Sequence, residues 1–369
     1  MSSRNTVLQV NALELIPADK NQTYDNPSYT LQTFIPPHAH AAYLSLHALN
    51  ITLALLPDTT SNPTVGAMRI QFWRDAINKT FAGNPPKEPI ALLLSHALSS
   101  MSASASGAQA PLSKSWFLRL ISAREARLNN PPFPDMEALE SYAESTYSTL
   151  LYLTLSALPL HSLTADHLAS HIGKATGIVT ILRGLPLVAF PPPPNHHSNK
   201  GQLGGVLSPS NSGQSQQGRV PLPLTIMATH NVVEEAVLRQ GAAAPGLKDA
   251  VFQVATRAND HLVTAREMLQ NIRAQQPVGH AFEHEGEEGH QYGPPDSSDG
   301  VEVGGGKAGE DAQAAEVERA FCALMPAVST QLWLQRLEKL DFDIFNPQLR
   351  RREWRLPWKA FFAFRRRTF

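Results

Sequence analysis

Apolar residues recur at three- and four-residue spacing along most of this chain, and strict apolar–polar alternation is almost absent. That period places apolar groups on one face of a helix, so it predicts an all-α protein. Helices are expected near 37–56, 64–82, 87–100, 114–129, 135–157, 165–189, 231–240, 246–274 and 312–340, with a last one near 348–366. The helix at 135–157 carries start chemistry. Pro134 and Asp135 precede it, and Glu137 and Glu140 fall in its first turns, where the helix dipole favours negative charge. In the helix at 165–189, Leu168, Ile172, Ala175, Ile178, Val179 and Leu182 share a buried face. Gly173 and Gly177, four apart, leave room for a second helix to approach closely.

Two stretches break the period. One, about 191–217, is rich in Pro, Gly, Ser, Asn and Gln; the other, about 275–312, is rich in Gly and acidic residues. Neither buries enough apolar surface to offset its ordering entropy, so both are expected to be disordered inserts. The helices on either side belong to one pattern. The expectation is therefore a single domain over 24–369, preceded by an extension at 1–23.

Composition narrows the function classes. The formal net charge is −1, which gives no global nucleic-acid footprint. The lone cysteine, Cys322, rules out an internal disulfide framework and fits a reducing compartment; its apolar surroundings suggest an inert core thiol. The apolar run Thr149–Leu160 is shorter than the roughly 18 to 20 residues needed to span a bilayer. The first twenty residues hold only Arg4 and Lys20 as basic groups, a poor match to an Arg-rich transit peptide. Gly-rich phosphate loops, Ser/His/Asp signatures and CxxC pairs are all missing. His167 and His171 have metal-ligand spacing but no acidic third ligand beside them, and the run from His280 to His290 lies in an expected insert. No cofactor is expected.

The stretch GKATGIVTILRG, Gly173 to Gly184, resembles the second signature helix of the squalene/phytoene synthase family, which runs roughly G-R-A-x-Q-x-x-N-x-x-R-D-x-x-x-D. Gly173, Lys174 and Arg183 keep the glycine and the basic positions. Thr180, Gly184 and Val188 stand where the pattern has an amide and two acids. The first signature helix resembles Y-x-x-x-R-x-x-D-D-x-x-D, followed by a W-R segment matched by Trp73 and Arg74. Its acidic region holds Asn50, Thr52, Leu53, Ala54 and Pro57, with Asp58 at the helix end. The resemblance implies an isoprenoid-synthase-type helical bundle around a central cavity. It also implies loss of the reaction. A prenyl diphosphate leaves when Mg²⁺ neutralises it, and Mg²⁺ needs hard oxygen ligands that neither helix supplies. The ordered segments HALNITLALLPD, MRIQFWRDAI, YAESTYSTLLYLTL, ADHLASHIGKATGIVTILR and LEKLDFDIFNPQL are similar to one non-catalytic branch of the family. That branch acts in assembly of mitochondrial respiratory complex I. The branch implies a matrix-side location at the inner membrane and complex I subunits or other assembly factors as partners. The alternatives are a prenyltransferase with an unusual metal site, or a lipid binder without turnover. The last depends on whether the cavity stays open or is filled by Leu53, Trp73 and Ile181.

Three groups of candidate residues follow. Arg69, Trp73 and Arg74 are either a cavity wall that once met a diphosphate or an aromatic core anchor with solvated arginines. Lys174 and Arg183 are nine apart, on opposite sides of one helix, and are either parts of a remnant anion site or members of ion pairs with Glu137, Glu144 or Asp75. The C-terminal segment interleaves Arg355, Lys359, Arg365, Arg366 and Arg367 with Trp358 and several phenylalanines. That composition suits an anionic membrane surface, the alternative being a final helix docked on the core.

Overall fold

The computed structural model describes residues 18–60, 63–104, 112–158, 160, 162–191, 218–274 and 307–369. Among these residues the structure is all helix and loop, with no strand. The chain runs through α1 (Asn26–Leu31), α2 (Pro37–Ala54), α3 (Pro63–Phe81), α4 (Pro89–Ser104) and α5 (Lys114–Glu125). Next comes a long composite helix, α6, made of Met136–Ala143, a π-helical turn at Glu144–Ser148, and Thr149–Ser156. It is followed by α7 (Leu163–Ala189), α8 (Leu224–Thr229), α9 (Glu234–Gln240), α10 (Leu247–Arg273), α11 (Lys307–Leu324), α12 (Pro326–Lys339) and α13 (Leu356–Arg366).

Local chemistry sets these boundaries. Asp135 caps α6 by accepting from the Ala138 N–H at 2.8 Å, and Ser162 caps α7 by accepting from the Ala165 N–H at 3.3 Å. The single helix expected at 312–340 is two helices, because Pro326 lacks the N–H that would continue the ladder through Met325. The helix expected at 348–366 is a short 3₁₀ turn, Pro347–Arg350, and then α13 from Leu356. The first expected insert lies outside the described residues except at Pro191. So does the second, except that 307–312 form the start of α11. At the other end, Asn21 is fully buried and Lys20 donates to Thr52 Oγ1 at 3.0 Å, so packing begins before Tyr24.

Helix α7 is the centre of the molecule, packed by α6, α10, α11 and α12. It spans 27 residues and is long and apolar enough, by composition, to cross a bilayer; the longest apolar element is therefore this helix and not the run at 149–160. Its side chains are mostly buried inside the bundle instead. Close approach depends on its glycines. A Cβ at Gly173 would sit 2.4 Å from Cα of Ser148, and one at Gly177 would sit 2.4 Å from Cβ of Ala143. Both contacts are on α6, at or beside its π turn, where the extra residue lets the helix bend around α7.

A buried polar chain ties α6, α7 and α10 together. Arg257 is paired with Glu140, His261 Nε2 lies 3.2 Å from the same carboxylate, and the Nδ1 atoms of His261 and His171 are 3.1 Å apart. The two facing Nδ1 atoms require one ring to donate and the other to accept. Cys322 is buried in the core, and burial pushes its thiol up to about 11.

Candidate functional site: an arginine-rimmed cavity between the two signature helices

A cavity of about 620 Å³ opens between α2 and α7, closed on other sides by α1, α12 and the segment before α13. That volume is in the range of small-molecule sites, roughly 300–1,000 Å³. Its inner walls are apolar, with Ile51, Leu150, Leu151, Val179, Trp333 and Leu356 among them. Leu53 and Trp73 are packed in the core and do not fill it.

Both resemblance-derived acidic regions face this space. Asn50 and Ala54 of α2 and Thr180 and Gly184 of α7 line it, and none is a carboxylate. Two acids do line the cavity, and each is engaged by a neighbour. Asp25 caps α1 through Ser28 and lies 3.5 Å from His47 Nδ1; burial opposes its charge, but those contacts hold its pKa below the usual value. Glu353 is bound by Arg355 at 2.9 Å and by Arg336 at 2.5 Å, which hold its carboxyl down at about 2. No group of three His, Cys, Asp or Glu side chains suited to a metal ion occurs among the described residues. The Mg²⁺ cluster that the fold implies therefore has no matching donor set here, and no step is derived through it.

The cavity mouth is cationic. Arg183, Arg336, Arg350, Arg351 and Arg352 contribute five guanidinium groups against the two carboxylates, an excess of three positive charges. Arg336 builds this rim. Besides Glu353 it binds the carbonyl of Arg351 at 2.7 Å, and so pins the 350–353 segment across the opening. A further buried cation stands behind the wall. Arg124 donates to Asn50 Oδ1 and to the Tyr142 hydroxyl, both at 2.5 Å, and its guanidinium lies over the rings of Tyr142 and Tyr147.

The sequence-derived candidates divide. Arg183 is exposed at the mouth, whereas Lys174 is buried in the bundle, so the two do not meet. Arg69, Trp73 and Arg74 are not at the cavity. Arg69 is exposed beside Thr59, Trp73 is an aromatic core anchor against Phe72, and Arg74 pairs with Glu125 at 2.7 Å. The W-R segment belongs to α3, whose inward face packs against α5 and α4. In the C-terminal segment, Lys359, Arg365 and Arg366 are exposed with Trp354, Trp358, Phe361 and Phe362. Arg355 and Arg367 are spoken for: the first by Glu353, the second by Glu318 at 3.3 Å and by the ring of Phe364, 4.0 Å from its guanidinium carbon. In the sequence Arg350–Arg352 belong to the basic C-terminal segment suited to a membrane surface, and nothing local marks Arg336 or Arg124. The triple arginine run was the one available signal, and its position at the mouth depends on the Arg336 staple.

An all-helical fold around an open cavity is what the resemblance implies, and comparison with known proteins agrees on the family and the fold. The squalene/phytoene synthase family model matches residues 22–187 and 212–283, and this chain belongs to that family. Among curated relatives, the NADH dehydrogenase (ubiquinone) complex I, assembly factor 6 of Rattus norvegicus is 31% identical over 333 residues, covering 90% of this chain and 76% of the rat protein. The Homo sapiens protein of the same name is 29% identical over 345 residues, covering 94% and 80%. Among solved structures, a dehydrosqualene synthase in complex with ligand superposes with a TM-score of 0.62 at 11% identity, covering 96% of each chain, which establishes the likeness of fold.

Proposed function

We propose that this protein is a non-catalytic squalene/phytoene synthase relative acting in assembly of mitochondrial respiratory complex I. The similarity to assembly factor 6 proteins along nine-tenths of the chain supports the reading. The observation that carries its non-catalytic part is that both signature helices face one cavity with Asn50, Ala54, Thr180 and Gly184 in place of carboxylates. Its partners are then complex I subunits or other assembly factors. Its place is the matrix side of the inner membrane, touched through the exposed aromatic and basic face of α13. The chain from residue 24 onward is then one domain, and the family's reaction is silent in it.

The test is genetic and enzymatic. Deleting the gene in its own organism lowers mature complex I on native gels, and expression of the chain restores it; unchanged complex I would overturn the assembly role. Purified protein with Mg²⁺ and farnesyl diphosphate yields no condensation product. Product above the no-protein control would instead favour the prenyltransferase reading.

A further inference from the structure

The outward face of α13 carries charge that nothing among the described residues balances. Lys359, Arg365 and Arg366 are exposed and form no ion pair there. Beside them Trp358, Phe361 and Phe362 are 66%, 49% and 49% exposed. The helix holds no acid. A second copy of this face would meet it with like-charge repulsion, so its occupant is an anion.

The chain itself contains a matching one. Residues 275–306 carry seven acids between Glu283 and Glu302, and no lysine or arginine. The formal net charge of the whole chain is −1, so everything outside this run amounts to +6. The run lies outside the described residues, but the point where it leaves the bundle does not. Arg273, the last residue of α10, donates to the carbonyl of Arg367 and pairs with Glu318 at 2.8 Å. Glu318 also holds Arg367 at 3.3 Å. The acidic run therefore starts against the C-terminal end of α13, next to Arg365 and Arg366.

We propose that the acidic run of residues 275–306 docks on the basic, aromatic face of α13 and competes there with any external anionic surface. Reach is no obstacle. α13 has 11 residues and is about 16 Å long, whereas half of the run, fully extended, covers roughly 50 Å. Tethering at Arg273 gives the acids an effective concentration on the order of millimolar at this face, so a contact that is weak between separate molecules is populated within one chain. Phe282 and Tyr292 lie within or beside the acids and supply rings for the exposed aromatic side chains. The docking stands on charge and attachment alone; the competition with lipid rests on the membrane reading of α13.

Cross-linking of the full chain tests the docking. A carbodiimide joins carboxylates to amines, and Lys359 is the one lysine on α13. Mass spectrometry should find the run joined to Lys359 in clear preference to the exposed Lys79 of α3 and Lys114 of α5. That preference should vanish in 1 M salt, where charges are screened over about 3 Å. Arg365→Gln combined with Arg366→Gln leaves Lys359 in place and should lower its yield several-fold. Vesicle binding tests the competition. Changing every Glu between residues 283 and 302 to Gln and every Asp to Asn should tighten binding to cardiolipin vesicles at least about tenfold. Equal cross-linking of the three lysines, or none at Lys359, would overturn the proposal whatever the vesicles show, because loose acidic charge repels lipid without docking. Unchanged vesicle affinity in the neutral-run variant would overturn the competition. If parent and variant both ignore anionic vesicles, the membrane reading of α13 fails, and a preferred link to Lys359 still establishes the docking.

Discussion

Arg124 on α5 donates a 2.5 Å hydrogen bond to Oδ1 of Asn50 on α2, and both are buried. Asn50 lies in the region where the family pattern is acidic. A guanidinium that a carboxylate could have balanced is here solvated by an amide, a tyrosine hydroxyl and two aromatic faces. Hydrogen bonds to charged groups contribute about 1.5–3 kcal/mol, and the cost of leaving the charge unpartnered is at least as large. Asn50→Leu should therefore lower stability by about 2–3 kcal/mol. Asn50→Asp, which keeps the acceptor and adds an opposite charge, should be at least as stable as the parent. Urea unfolding of the three proteins decides; a Leu variant of parental stability would show that Arg124 does not depend on this contact.

The glycines of α7 give a contrast within one helix. Gly173→Ala drives a methyl group into the backbone of Ser148, and Gly177→Leu puts bulk against Ala143; overpacking of this kind costs roughly 1–3 kcal/mol, and the rigid backbone contact puts Gly173 at the upper end. Gly184→Ala meets open space and gains helix propensity, so it should raise stability by up to about 1 kcal/mol. Thermal melts should rank Gly184→Ala above the parent and both others below it. The reverse order would mean that α6 does not pack on α7 as described.

Glu140 makes the fold acid-sensitive. Burial alone would raise its pKa, but hydrogen bonds and charge from His261 and Arg257 override burial and bring it to about 2, against 4.5 for an unconstrained glutamate. A carboxyl whose folded pKa is depressed contributes stability that is present above pH 4.5 and is lost as pH falls from 4.5 toward 2. The contribution is on the order of a few kcal/mol. Glu353, also near 2, titrates in the same window, so Glu140→Gln should be less stable at neutral pH and should lose part, not all, of the acid dependence. Equal slopes of stability against pH for variant and parent between 4.5 and 2 would refute this.

Helix positions, the α7 packing glycines and the start of α6 were legible in the sequence because they depend on residues a few positions apart. The interruption at Pro326 was masked by apolar spacing that runs on through Phe321, Leu324, Val328 and Leu332. The site was legible only in part. The identities of Asn50, Ala54, Thr180 and Gly184 could be read directly, and the resemblance implied a central cavity; that these four side chains line one open cavity needed the fold. Arg124 reaches Asn50 across 74 positions, and the Arg336–Glu353 pair spans 17, so neither leaves a local signature. The arginine run at 350–352 reads as solvated charge until Arg336 fixes it across the opening. Trp73 and Arg74 carry the family resemblance strongly, yet that resemblance reflects packing of α3 and not chemistry at the cavity.

The last prediction concerns α13. Leu356, Ala360 and Ala363 dock it on the bundle, while Trp358, Phe361, Phe362, Lys359, Arg365 and Arg366 face outward. Rings of this kind insert at the headgroup level, and each basic residue near an anionic surface contributes about 1 kcal/mol. The protein should therefore sediment with vesicles containing cardiolipin and much less with neutral ones. Replacing Lys359, Arg365 and Arg366 by Gln should weaken that binding roughly a hundredfold and flatten its salt dependence, since exposed charges are screened over about 8 Å at physiological ionic strength. Trp358→Ser should weaken binding while leaving the salt dependence in place, because it removes the inserted ring and no charge. Arg367 behaves differently. Its guanidinium is held by Glu318 and stacked on Phe364 and Phe321, so Arg367→Gln should lower the melting temperature more than it lowers vesicle binding. Equal sedimentation with neutral and anionic vesicles would remove α13 as the electrostatic anchor and leave its exposed aromatic face to a protein partner.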